Sequence, residues 1–129
     1  MIYKERRRLT LPVTVHRKND STTIIDALLD SGAEVNIISP MAAKKLDWQP
    51  AGATSTIVRG IDGQTMISFG VYEEGIEVTD SWHQKRVTKC VFHSIASDEY
   101  AMVLGYPWLE AVDPQVSFKA KTWQYPRIR

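Results

Sequence analysis

The sequence predicts a mostly-β domain with two short helices, on three observations. Apolar residues recur with a period of two, first as Leu9, Leu11, Val13 and Val15 against Thr10, Pro12, Thr14 and His16, the alternation of a half-buried strand. Turn-forming residues interrupt the apolar stretches at short intervals and leave little length for helices. Helix-starting signals stand at Ser39-Pro40 and at Pro107, each followed by only a short run.

The elements follow in order. Pro12 cannot donate to a ladder, so the first strand is expected at an edge or with a bulge. Lys18-Asn19-Asp20-Ser21 makes a turn, and a more uniformly apolar strand runs from Thr22 to Leu29, stopping at Asp30-Ser31-Gly32. Val35 to Ile38 is a further apolar piece. Ser39 offers an N-cap hydroxyl and Pro40 a preset first helical position, so Met41 to Leu46 forms a short helix that Gln49-Pro50-Ala51-Gly52 ends. Thr54 to Val58, a Gly60-Ile61-Asp62-Gly63 turn and Gln64 to Ser68 form a hairpin. Gly70 to Val78 and Lys85 to Ile95 are longer strands, with Val87, Val91 and Ile95 on one face of the second. Ala101 to Leu104 is a short strand ending at Gly105. Pro107 to Val112 is a helix closed by Asp113-Pro114, and Val116 to Tyr125 is a last strand or pair.

Composition bounds what such a domain does. The 129 residues, 43% hydrophobic and 24% charged, make one globular domain and exclude disordered and collagen-like chains. No apolar run approaches the ~18 residues of a membrane span. Sixteen basic residues against 15 acidic ones give a net charge of +1, too near neutral to make nucleic-acid binding the first expectation. The single cysteine excludes an intrachain disulfide and suits a reducing compartment. Met1-Ile2-Tyr3 runs directly into Lys4-Glu5-Arg6-Arg7-Arg8 without the apolar segment of a secretory signal, so the expected location is cytoplasmic. Arg6-Arg7-Arg8 reads as a solvated arm before a nucleic-acid or nuclear-import patch, and Asn19-Asp20-Ser21 as a chance glycosylation pattern.

The chemistry concentrates in Ala27-Leu28-Leu29-Asp30-Ser31-Gly32-Ala33-Glu34. Asp-Ser-Gly is a competent turn, and alone it permits a reading in which Asp30 merely caps a loop. A second apolar strand, Ala101-Met102-Val103-Leu104-Gly105, also ends in glycine and enters a helix. The pair resembles the retropepsin family of aspartic proteases: Leu29-Asp30-Ser31-Gly32-Ala33 matches its active-loop signature and Val103-Leu104-Gly105 its later apolar-apolar-Gly segment. Leu104-Gly105-Tyr106-Pro107-Trp108-Leu109, then Asp113-Pro114 and Val116-Ser117-Phe118, is similar to the proteases of Gypsy-class LTR retrotransposons. The resemblance spans about residues 9 to 125.

It implies a retropepsin-like closed or orthogonal β-barrel with a flap hairpin, forming a C2 homodimer. Residues 1–8 would be a charged arm or polyprotein linker, 9–125 the protease domain and 126–129 a tail. Asp30 would be catalytic. Ser31 would hydrogen-bond across the dimer, Gly32 would let backbone approach the carboxylates and Ala33 would line the cleft. Gly60, Ile61, Asp62 and Gly63 would tip a flap that closes over a bound peptide, while Val103, Leu104 and Gly105 thread beneath the active loop. Asp62 is atypical of a retroviral flap, and Glu34 departs from the small hydroxyl or Asp often found there.

Aspartic proteases hold two carboxylates about 3 Å apart, where both cannot comfortably ionise and one proton is shared. The ionised partner takes a proton from the attacking water, while the protonated one hydrogen-bonds the scissile carbonyl. The chain has one Asp-Ser-Gly, and Asp62, Asp98 and Asp113 lie in turn-like surroundings. Asp30 must therefore meet Asp30 of another copy, which a two-fold axis allows. The expected partners are that copy and peptide segments of a parent polyprotein, in the cytoplasm or in virus-like particles, with no nucleic acid, membrane, metal or cofactor. The alternatives are a catalytically silent or domesticated dimerisation module and a small nucleic-acid-binding β domain, whose binding would weaken with salt.

Other motifs are weaker. Cys90 and His93 are three apart on a strand and so face opposite sides; no second cysteine completes a zinc site. His16 and His83 lack partners at ligand spacing, and neither a G-x-S-x-G elbow nor a P-loop occurs. Lys85, Arg86 and Lys89 read as the wet face of a strand, and Trp48, Trp82, Trp108 and Trp123 as core or dimer anchors.

Overall fold

The computed structural model describes residues 9–52, 55–97 and 99–127. The arm 1–8 with its Arg6-Arg7-Arg8 run, Thr54 at the start of the expected hairpin, Asp98, and Ile128-Arg129 of the tail lie outside the described residues. Among the described residues no helix is long and apolar enough to cross a membrane.

The period-two stretch forms β1 (Leu9–His16), with Leu9, Leu11, Val13 and Val15 buried. It pairs antiparallel with β2 (Thr22–Leu29) in an unbroken register from Leu9↔Leu29 to His16↔Thr22. The other barrel strands are β3 (Asn36–Ile38), β6 (Val71–Thr79), β7 (Lys85–Ser94) and β8 (Met102–Leu104). They close a barrel in the order β1-β2-β8-β3-β7-β6. The β2–β8 and β3–β7 pairs are parallel, and the rest antiparallel.

Pro12 is neither on an open edge nor at a bulge. The β1–β6 ladder spans only Val13 and Thr14, so Pro12 stands beyond its end, where a missing N–H breaks no bond to β6.

Two apolar clusters follow from alternation along short strands buried on both faces. Ala27, Ile38, Met102 and Leu104 join Val13, Ile76, Val78, Phe92 and Trp108 in the main core. Their neighbours Leu28, Ile37 and Val103 point the other way, into a smaller cluster with Ala33 and Ile95. The hairpin β4 (Thr56–Arg59)–β5 (Thr65–Ser68) lies over that second cluster and packs Val58, Ile61 and Met66 onto it.

Helix α1 (Pro40–Lys45) starts as its sequence signals, with Ser39 Oγ accepting from the Ala42 N–H at 3.1 Å. Helix α2 (Tyr106–Val112) ends at Asp113, whose left-handed backbone (φ 50°) lets its N–H reach Leu109 O at 2.8 Å. The expected last strand or pair is a hairpin of β9 (Gln115–Ser117) and β10 (Thr122–Gln124).

On β7 the inward residues are Cys90, Phe92 and Ser94, while Val87 and Val91 are exposed at 65% and 47%. Ile95, beyond the strand end, is buried in the second cluster. Trp48, Trp108 and Trp123 are core residues, whereas Trp82 is exposed on the turn between β6 and β7.

Candidate active site

The parallel register Ala27↔Met102, Leu28↔Val103, Leu29↔Leu104 makes β2 and β8 end level. Asp30 and Gly105 therefore leave the barrel side by side. The Asp30 N–H donates to Leu104 O (3.1 Å), and the Tyr106 N–H donates to Ala33 O (2.8 Å). Between them the Gly105 N–H donates to Asn36 Oδ1 at 2.9 Å. A Cβ on Gly105 would press into Val35 O and stand 2.6 Å from Ala33 O, so only glycine lets the active loop lie this close.

Asp30 is half-buried, Ser31 and Gly32 are exposed, and Ala33 is fully buried. The Gly32 N–H donates to Asp30 Oδ1 at 2.9 Å, and the Ala33 N–H donates to Asp30 O at 3.1 Å. Asp30 Oδ2 accepts from the backbone N–H of Asp62 at 2.8 Å. Each oxygen thus takes one fixed amide and retains a further lone pair for a water, a hydroxyl or a protonated carboxyl.

The Gly60–Gly63 turn carries Asp62 at φ 56° and Gly63 at φ 74°. It is closed by Gly60 N–H to Gln64 O (2.8 Å) and Gly63 N–H to Gly60 O (2.9 Å). Beside it the Glu34 N–H donates to Arg59 O at 2.9 Å, and the exposed Glu34 and Arg59 side chains approach to 3.9 Å. Val103, Leu104 and Gly105 are all buried beneath the loop. The structure therefore brings Asp30–Ala33, the Asp62 backbone and Val103–Gly105 together within one chain. Asp113, by contrast, caps α2.

Asn36 is a central residue that the sequence reading passed over. It is 2% exposed, and its Nδ2 donates to Val91 O at 3.2 Å while Oδ1 holds Gly105. The available signal was a lone amide inside the apolar run Val35 to Ile38.

The remaining candidates are structural. His93 Nδ1 lies 2.8 Å from Ser68 Oγ, but Ser68 is wholly buried and also bonds Gly70 O, so the pair ties the base of the hairpin to β7. Burial lowers the His93 pKa below its ordinary range. Burial likewise pushes the Cys90 thiol up to about 11, which leaves no reactive thiolate near neutral pH. His16 Nε2 stands 3.5 Å from Glu77 Oε1. Among the described residues no group of three or more His, Cys, Asp or Glu side chains could hold a metal. A groove of ≈ 620 Å³ beside α1, lined by Ile24, Met41, Lys45 and Tyr100, includes no residue of the Asp30–Ala33 loop or the Gly60–Gly63 turn.

In fold the chain is similar to the retroviral protease-like domain of Ddi1 from Leishmania major. The TM-score is 0.59 at 13% identity, over 91% of this chain and 85% of that one. It is also similar to EIAV protease complexed with the inhibitor HBY-793, with a TM-score of 0.50 at 18% identity, over 85% of this chain and 92% of that one. No curated protein matches it by sequence. The sequence profile of the PEG10/RTL1 protease domain does match, over residues 26–126, a span that contains Asp30, the hairpin turn and Gly105. With its six-stranded barrel and retropepsin-like fold, the chain belongs to the PEG10/RTL1 protease domain family.

Proposed function

We propose that the protein is an aspartic endopeptidase that cleaves the polyprotein of a Gypsy-class LTR retrotransposon, with an active site made of Asp30 from each of two copies. The observation that carries this reading is the half-buried Asp30 carboxylate, held at the level ends of two parallel apolar strands beneath a hairpin turn. One chain supplies one such carboxylate, and a two-fold axis through the Asp30 loops supplies the second.

In that dimer the two carboxylates share a proton. One accepts a proton from the attacking water, and the other donates a hydrogen bond to the scissile carbonyl oxygen. Ser31, exposed beside Asp30, would bond across the two-fold. The substrate lies as an extended strand between loop and flap, with alternate side chains entering pockets. The expected cytoplasmic setting, peptide partners and absence of a cofactor belong to the same reading. Asp30→Asn tests it. The variant is expected to sediment as the wild-type dimer and to lose peptide cleavage, and a variant cleaving at the wild-type rate refutes the mechanism.

A second reading, a catalytically silent or domesticated module for dimerisation or protein binding, draws on the flap turn seated directly on Asp30. A dimer that neither binds a statine-type transition-state analogue nor cleaves any peptide would favour it.

A further inference from the structure

We infer that the flap turn is a built-in inhibitor of the single chain, competing with substrate for the Asp30 carboxylate. This inference concerns regulation of the same site and rests on the protease reading above.

The argument is one of space. A peptide bound as a strand runs about 4.7–4.9 Å from each neighbouring strand. A substrate between flap and active loop therefore needs close to twice that separation. Here the Asp62 amide nitrogen is 2.8 Å from Asp30 Oδ2, direct hydrogen-bond contact with no room for a peptide or an attacking water between them. A Cβ on Gly32 would stand 3.6 Å from both the Asp62 carbonyl carbon and the Gly63 nitrogen, so the turn also lies close over Gly32.

The closed position is held by more than one bond. The apolar inner face of the hairpin, Val58, Ile61 and Met66, rests on Leu28, Ala33, Ile37, Ile95 and Val103. The Glu34 N–H to Arg59 O bond ties the hairpin's first strand to the loop. The turn itself is shaped for this contact. Asp62 adopts φ 56° and ψ 25°, a left-handed conformation unusual for a residue with a side chain, and it aims the Asp62 N–H at the carboxylate.

The flap thus spends the Asp62 N–H on the carboxylate, and the carboxylate gives one oxygen to the flap. A peptide lying between loop and flap must displace it. Activity should therefore require the turn to lift.

Amide hydrogen exchange by NMR on the full chain, diluted to the monomer, tests this. The Asp62 amide is expected to exchange about 10- to 100-fold more slowly than in Asp30→Ala, the range for losing a hydrogen bond to a charged group. The Gly60 amide, bonded within the hairpin to Gln64 O, reports whether the hairpin stays folded and is expected to be unchanged. Equal Asp62 exchange in the two proteins, with Gly60 still protected, overturns the inference whatever the cleavage assay shows. Loss of Gly60 protection in Asp30→Ala moves the comparison to Asp30→Leu, which is close in size, offers no acceptor, and must also speed Asp62 exchange for the inference to stand. A protected Asp62 in a protein that cleaves nothing as a dimer would overturn the protease reading and leave the cap in place.

Discussion

The carboxamide oxygen of Asn36 accepts the backbone N–H of Gly105 at 2.9 Å, joining residues 69 positions apart. Through this bond the segment entering α2 is tied to the loop that presents Asp30, and the amide nitrogen carries the tie onward to Val91 O on β7. Three successive backbone groups, Leu104 O, Gly105 N and Tyr106 N, thereby hold the span 30–36. Asn36 supplies the only side chain in that clamp.

Asn36→Ala leaves the buried Gly105 N–H without its acceptor, a loss that costs about 1–3 kcal/mol. A destabilisation of about 1–3 kcal/mol is expected from the urea unfolding midpoint.

Gly105→Ala meets rigid backbone, Val35 O and Ala33 O, and no side-chain rotamer relieves the clash. Destabilisation of about 2–4 kcal/mol is expected. On the protease reading, cleavage should fall further than the unfolded fraction explains, since the displaced loop carries Asp30. Wild-type specific activity per folded molecule would contradict this account of Gly105.

Asp80 anchors the C-terminal hairpin. It is 5% exposed, and its Oδ1 accepts from the Trp82 and Gln84 amides at 2.9 and 2.8 Å. Its Oδ2 accepts from the Tyr125 amide at 3.1 Å. Asp80→Ala should cost about 2–3 kcal/mol and lower the thermal midpoint by on the order of 10 °C. Asp80→Asn, with one acceptor left, should fall between the two.

Tyr125 sets an alkaline limit. Burial pushes its phenol up to about 12, with the nearby Arg86 guanidinium partly offsetting the shift and Asp80 and Glu77 adding to it. As pH rises through the ordinary tyrosine value of 10.0, the unfolded chain loses this proton first. The unfolded state then binds fewer protons, so this stability is complete below pH 10 and falls between pH 10 and about 12. Tyr125→Phe should remove that slope in urea unfolding curves. It should also cost about 1 kcal/mol at neutral pH, through the lost bond from Tyr125 Oη to Val78 O (2.6 Å).

Most of the fold was legible in the sequence. Alternation in Leu9–His16 and the Ser39-Pro40 and Asp113 signals are local, and each element appears near its expected place. On β7 the alternation grouped Val87, Val91 and Ile95; the two valines share the exposed face, whereas Ile95, past the strand's end, is buried, and parity alone does not say which face is inside. Closure of the barrel turned Cys90 and Phe92 inward and left the valines in water. Asn36 and Asp80 were not legible, because their partners are distant in sequence and only the packed barrel brings them close.

The sequence by itself determined the strand pattern, the two glycine-ended apolar strands and the Asp-Ser-Gly-Ala loop, since each depends on residues a few positions apart. Tertiary structure alone decided that those strands run parallel and end level, that Asn36 locks Gly105 beneath the loop, and that the Asp62 amide closes on Asp30. The physical reason is that hydrogen-bond partners and buried contacts are chosen by proximity in space. The chain sets that proximity only when the whole barrel closes.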